Sequence, residues 1–236
     1  MDMTSLPDAL RTPSKEKSTY TIGVPRDFLG EGVDAEVMRA FERTLESFVQ
    51  AGHRVVDVSL EALKHALAVY YIIMPAEVSS NMARFDGMRY GLHKKGTSGI
   101  DTYHTSRAAG FGAEVRRRIL LGTHVLSSGY YDAYYGKAMR ARRFITQEVE
   151  AVLQTVDAIA TPTTPTPAFK IGEKTSDPLT MYLEDIFTVP ANIVGVPALS
   201  VPCGTVERDG KRLPVGIQLM GRKTDEQTLF AVLEGK

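Results

Sequence analysis

The sequence of 236 residues has a single cysteine, Cys203, and no charge excess, with 28 basic and 28 acidic side chains. One cysteine cannot close an intramolecular disulfide, which excludes a disulfide framework and fits a reducing compartment, here read as the cytoplasm. Equal charge excludes a global field drawing the chain to nucleic acid or an anionic membrane, so any RNA contact must be local. Long hydrophobic runs are missing too. The longest nearly uninterrupted apolar stretch, residues 66–76, contains Pro75 and is far too short to span a bilayer. The opening Met1-Asp2-Met3-Thr4-Ser5-Leu6-Pro7 lacks a basic start and an apolar segment, so no secretory signal is expected. Residues 1–17 read as a flexible lead-in.

What is present is enough apolar material, 43% of residues, for a substantial core. Thr21 to Pro25 is a short apolar run stopped by proline. Val37, Phe41, Leu45, Phe48 and Val49 then follow a helical period. Gly52 ends that helix and residues 54–59 alternate as a strand, so residues 20–59 are expected to form a βαβ unit with parallel strands. Residues 62–90 and 111–156 read as mostly helical, the second with Tyr131, Tyr135, Ala138, Ile145, Val149 and Val152 on one stripe. Residues 157–162 read as a buried strand, after which Pro162, Pro165 and Pro167 impose an extended loop. Residues 198–202 and 215–220 are expected to pair as a hairpin around a polar turn at Asp209-Gly210. The predicted class is α/β, a mixed sheet flanked by helices.

Several features carry little chemistry. Gly30-Glu-Gly32-Val-Asp-Ala35 matches a dinucleotide-binding fingerprint superficially, but Asp34 and Glu36 put negative charge where a pyrophosphate needs a bare helix N-terminus. It reads as an acid-capped helix start. His53, His65, His93, His104 and His124 lack the close pairings of metal ligands, so no metal site is expected. Cys203 reads as a structural thiol at a strand end. Arg116, Arg117 and Arg118 point about 100° apart on a helix, so they cannot share one environment. One turned inward would need a carboxylate or a ligand, and the spacing does not say which. Taken alone, Asp185 reads as a helix cap, and Tyr70 and Tyr71 as core aromatics.

Longer blocks narrow this. Tyr70 to Gly91, Gly110 to Gly122, Ser128 to Tyr135, Thr161 to Phe169, Leu183 to Asn192 and Val196 to Pro202 follow one another as blocks of the amidase signature family do. The tyrosine and arginine blocks resemble most closely the amidase-type subunits of glutamyl-tRNA(Gln) amidotransferases. The likeness covers residues 19–230. It implies an enzyme that hydrolyses an amide with a Ser, cis-Ser, Lys triad belonging to the family's N-terminal half. None of those elements is in this sequence. Residues 2–6 resemble the segment just beyond that half, and Lys236 precedes the end of the family's last helix. Residues 18–236 are therefore expected to be the C-terminal half of an amidase signature domain, inactive alone.

By motif position, the resemblance implies that Tyr70, Arg118 and Asp185 bind the substrate glutamine. A guanidinium suits its α-carboxylate and a carboxylate its α-ammonium. Arg116 and Arg117 would then lie on the surface. The implied partners are the missing N-terminal amidase half and the B and C subunits of the amidotransferase, with tRNA met indirectly. ATP and Mg would be used by a partner subunit, with no cofactor bound by this chain. Two rivals stand beside this reading: a fragment of a general small-amide amidase, and a non-catalytic binding or assembly module.

Overall fold

A computed structural model describes residues 17–30, 32–174 and 178–234. The lead-in up to residue 16, with the segment 2–6, lies outside the described residues. The chain divides into two compact units, residues 1–67 with 143–236, and residues 68–142.

The first unit is built on β1 (Thr21–Val24), α1 (Ala35–Gln50) and β2 (Arg54–Asp57). β1 and β2 run parallel with Ile22 opposite Val55, so the expected βαβ unit is present. α1 starts where Asp34 accepts the main-chain N–H groups of Glu36 and Val37 at 2.8 and 3.3 Å. That is the acid cap read from the sequence, and Arg208 reaches across to pair with both Asp34 and Glu36. Burial of Val37, Phe41, Leu45 and Phe48 makes the helix's core face, whereas Val49 is 54% exposed, one residue and about 100° beyond Phe48. Gly52 leaves the helix at φ +92°, a conformation that only glycine adopts without strain.

The sheet continues through β3 (Ala158–Pro162), β5 (Lys211–Met220) and β4 (Ala198–Arg208) in the order β2-β1-β3-β5-β4. β3 is parallel to β1 and antiparallel to β5, so the sheet is mixed, as expected. Every residue of β3 is buried. Asp157 precedes the strand, its carboxylate accepting from Lys17 Nζ at 2.7 Å and Thr21 N at 2.9 Å.

The hairpin of β4 and β5 turns at Asp209-Gly210, both at positive φ, which matches the twist that a two-residue hairpin turn requires. Its arms are longer than the sequence suggested. Pairing passes Pro202 by a bulge before Gly204, and Pro214 lies beyond the part of β5 that pairs with β3. Cys203 accordingly sits within β4 at the bulge rather than at a strand end, half-buried against the core.

The second unit is helical. The chain enters it within α2 (Ala66–Met82), which follows a 3₁₀ turn at Glu61–His65. α3 (Gly99–Gly110) and α4 (Ala113–Val125) come next, and the chain leaves within α5 (Lys137–Leu153) after a π-helical turn at Tyr131–Gly136. Two helical expectations need correction. Helix does not reach residue 90: Arg107 Nη1 caps the end of α2 at Met82 O and Phe85 O, and Asp86 then accepts from Met88 N and Arg89 N in a tight turn. Nor does one stripe run from Tyr131 to Val152. Ala138, Ile145 and Val149 are buried but Tyr131 is 46% exposed, because the wider π turn shifts the phase of what precedes α5. No helix of the described residues is long and apolar enough to cross a membrane.

Candidate functional site

α2 and α4 bring Tyr70 and Arg118 into one unit. The helices approach closely, with Gly122 against the Pro75 carbonyl and the Ser79 and Thr123 hydroxyls 2.9 Å apart. Tyr71 and Arg118 each lie about one turn before this crossing. Tyr70 and Tyr71 are half-buried, their rings meeting edge to face at 5.3 Å and 90°. Neither ring belongs to the buried core, which corrects the core-aromatic reading: the two pack on each other at the margin, and Tyr70 keeps a partly accessible surface.

The three arginines separate as their helical angles require. Arg116 and Arg117 are exposed, while the Arg118 side chain is 33% exposed against 56% for Arg117. Glu114, in the first turn of α4, accepts from Arg118 Nε through Oε1 at 3.0 Å and from Arg117 Nη1 through Oε2 at 2.7 Å. The arginine turned furthest from water thus has a carboxylate partner, as a partly desolvated guanidinium needs. Nearby in the same unit, Tyr135 OH donates to Glu77 Oε1 at 3.2 Å. Burial and the Glu77 carboxylate push this phenol above its usual range, keeping it protonated and a donor.

Asp185 belongs to the other unit, in the turn between α6 (Pro178–Leu183) and α7 (Val189–Val194). The residue is exposed. The helix-cap expectation is corrected here: the cap position of α7 is Thr188, and Asp185 contributes its carbonyl, which accepts from Thr188 N at 3.1 Å and Val189 N at 3.0 Å. The turn is anchored from below by Gln218 of β5. This buried amide donates to Phe187 O at 2.7 Å and to Thr161 Oγ1 of β3 at 3.2 Å, tying the Asp185 turn to two strands. Glu184 accepts from Thr166 Oγ1 at 2.8 Å and pairs with Lys174, both members of the pair being largely buried. Sequence reasoning missed Gln218 and Glu184. The one signal available for Gln218 was a polar residue within an otherwise apolar strand.

Among the described residues no group of three or more His, Cys, Asp or Glu is placed to hold a metal ion. His53 is a core residue, its Nδ1 accepting from Tyr20 N at 3.2 Å and its ring against Tyr20 and Phe48.

A mixed sheet carrying these blocks in this order is the architecture of amide hydrolases of one family. The amidase family model matches residues 1–230, and the chain belongs to that family. Within it, the chain is 50% identical to the amidase-type subunit of the glutamyl-tRNA(Gln) amidotransferase of Acidobacterium capsulatum, over 98% of this chain and 49% of that protein. The corresponding protein of Geobacillus kaustophilus is likewise 50% identical, over 98% of this chain and 48% of its own length. The crystal structure of the same glutamyl-tRNA(Gln) amidotransferase component from Thermotoga maritima shares the fold with a TM-score of 0.65 and 40% identity, covering 90% of this chain and 40% of that one. The chain spans about half the length of the curated relatives it matches.

Proposed function

We propose that residues 18–236 are the C-terminal, glutamine-binding half of the glutaminase component of a glutamyl-tRNA(Gln) amidotransferase. Arg118 would grip the α-carboxylate of glutamine, Asp185 would neutralise the α-ammonium, and Tyr70 would be the third residue that holds the substrate. The observation that carries this is the arginine block itself. Of three consecutive arginines, the one matched by motif to substrate binding is the one turned most inward, and its terminal N–H groups point to no partner among the described residues.

The covalent chemistry would come from the complementary amidase half, through an acyl-serine intermediate that divides a difficult hydrolysis into two easier steps. Ammonia released there would serve the B and C subunits, which use ATP and Mg to amidate glutamate on tRNA(Gln). This chain would meet the tRNA only indirectly and would hold no cofactor. The absence of net charge and the single cysteine support a cytoplasmic complex without direct attraction to nucleic acid.

Joining the chain to the complementary amidase half and measuring ammonia release tests this assignment. Glutamine should be turned over well and a small amide such as butyramide poorly. Equal turnover of both would favour the general amidase reading, and no turnover of either would favour a binding or assembly module.

A further inference from the structure

We infer that Glu114 is a positioning residue that aims Arg118, an inference that rests on the glutamine-binding assignment of Arg118. Glu114 stands in the first turn of α4, where the positive end of the helix dipole favours a carboxylate. Its two oxygens are divided: Oε2 takes Arg117 Nη1 at 2.7 Å and Oε1 takes Arg118 Nε at 3.0 Å. The division has a geometric consequence for Arg118. A guanidinium can present either its side, through Nε and one Nη, or its end, through both Nη groups. With Nε committed to Glu114, only the end remains for a ligand. That end carries the two parallel N–H groups that match a carboxylate.

Arg117 contributes to the same device by occupying the second oxygen. Without it, Glu114 could take a second hydrogen bond from Arg118 and draw the fork away from a ligand. The pair therefore restricts a long, flexible side chain to one orientation before substrate arrives, which reduces the entropy lost on binding. A carboxylate that only decorated a solvated helix face would stabilise α4 slightly and affect every substrate alike.

The test uses the complex of this chain with the complementary amidase half, and compares glutamine with glutaminamide, which keeps the ammonium and side-chain amide but lacks the carboxylate. Glu114→Ala should raise KM for glutamine by about tenfold, the scale of one charge-assisted hydrogen bond, and leave kcat within about twofold. Glutaminamide kinetics should not change. Glu114→Gln, which keeps an acceptor oxygen, should recover most of the loss. In an Arg118→Ala background, Glu114→Ala should have no further effect on glutamine. If Glu114→Ala alters both substrates equally, its role is structural and the inference is overturned. If Arg118→Ala raises KM while Glu114→Ala does not, the inference fails and the assignment of Arg118 stands. If neither raises KM, the assignment itself falls and the inference with it.

Discussion

Gly122 of α4 faces the main-chain carbonyl of Pro75 in α2 so closely that a β-carbon at residue 122 would lie 1.9 Å from that oxygen. No side chain fits there. The contact sets how near the helix carrying Tyr70 comes to the helix carrying Arg118, so the glycine that ends the arginine block determines the spacing of the two. The proline is part of the same arrangement. It has no N–H to donate within α2, and its carbonyl meets the one residue of α4 that can accept such proximity.

Gly122→Ala should therefore destabilise the helical unit by about 1–3 kcal/mol, the range of overpacking in a closed interface. The sign is the informative part, since alanine at an open helix position stabilises by up to about 1 kcal/mol relative to glycine. Urea titration followed by circular dichroism measures it. An unchanged or raised midpoint would mean that the helices separate without cost.

Arg118→Ala, measured in the complex with the complementary amidase half, should reduce kcat/KM for glutamine by roughly thirty-fold to a few thousand-fold, from a loss of about 2–5 kcal/mol for a desolvated charge pair. Arg116→Ala is the control, because a solvated helix arginine contributes no more than about 0.5 kcal/mol. Equal losses in the two variants would remove the distinction on which the assignment depends.

Asp185→Asn should weaken glutamine in the same assay by a similar factor, because the amide keeps the shape and loses the charge that neutralises an ammonium. The folded structure should tolerate it, since the turn is held by main-chain hydrogen bonds and by Gln218. Gln218→Leu provides the comparison. It strips the buried Phe187 carbonyl of its donor and should cost about 1–3 kcal/mol of stability. A melting temperature equal to that of the unsubstituted chain would show that the turn does not need this anchor.

Asp157→Asn links the same sheet to pH. Burial pushes the Asp157 carboxyl up, but hydrogen bonds from Lys17 and Thr21 N, with the charges of Lys17 and Arg222, outweigh it and hold the group below the usual carboxylate range. A folded pKa below the unfolded value, about 3.9, means that the stabilisation is complete above that value and is lost as pH falls through the folded one. The variant should be less stable by about 1–3 kcal/mol at neutral pH, and the gap should close in acid below about pH 4. Urea midpoints at a series of pH values follow the two curves, and a gap that persisted in acid would place its origin elsewhere than in the charge.

The chain alone should release no ammonia from glutamine above background, because binding groups without a nucleophile and its base perform no acyl transfer. Release that survives purification and is abolished by changing one serine of the chain would require a different nucleophile.

The sequence by itself determined the local matters. Alternation and helical period are read over a few residues, so the βαβ unit, the buried strand before the proline loop and the Asp209-Gly210 turn were visible in it. The acid cap of α1 was visible for the same reason. The long blocks also named Tyr70, Arg118 and Asp185, since resemblance carries tertiary information that periodicity lacks. Only the tertiary structure decided the rest. Gln218 finds Thr161 at a separation of 57 residues and Phe187 at 31, and Gly122 finds Pro75 in a different helix. α3 was not anticipated, and the π turn shifted a stripe that spacing alone had drawn straight. For Gln218 and Gly122 the deciding interaction joins residues far apart in the chain, where a strand's period of two or a helix's of 3.6 has nothing to report.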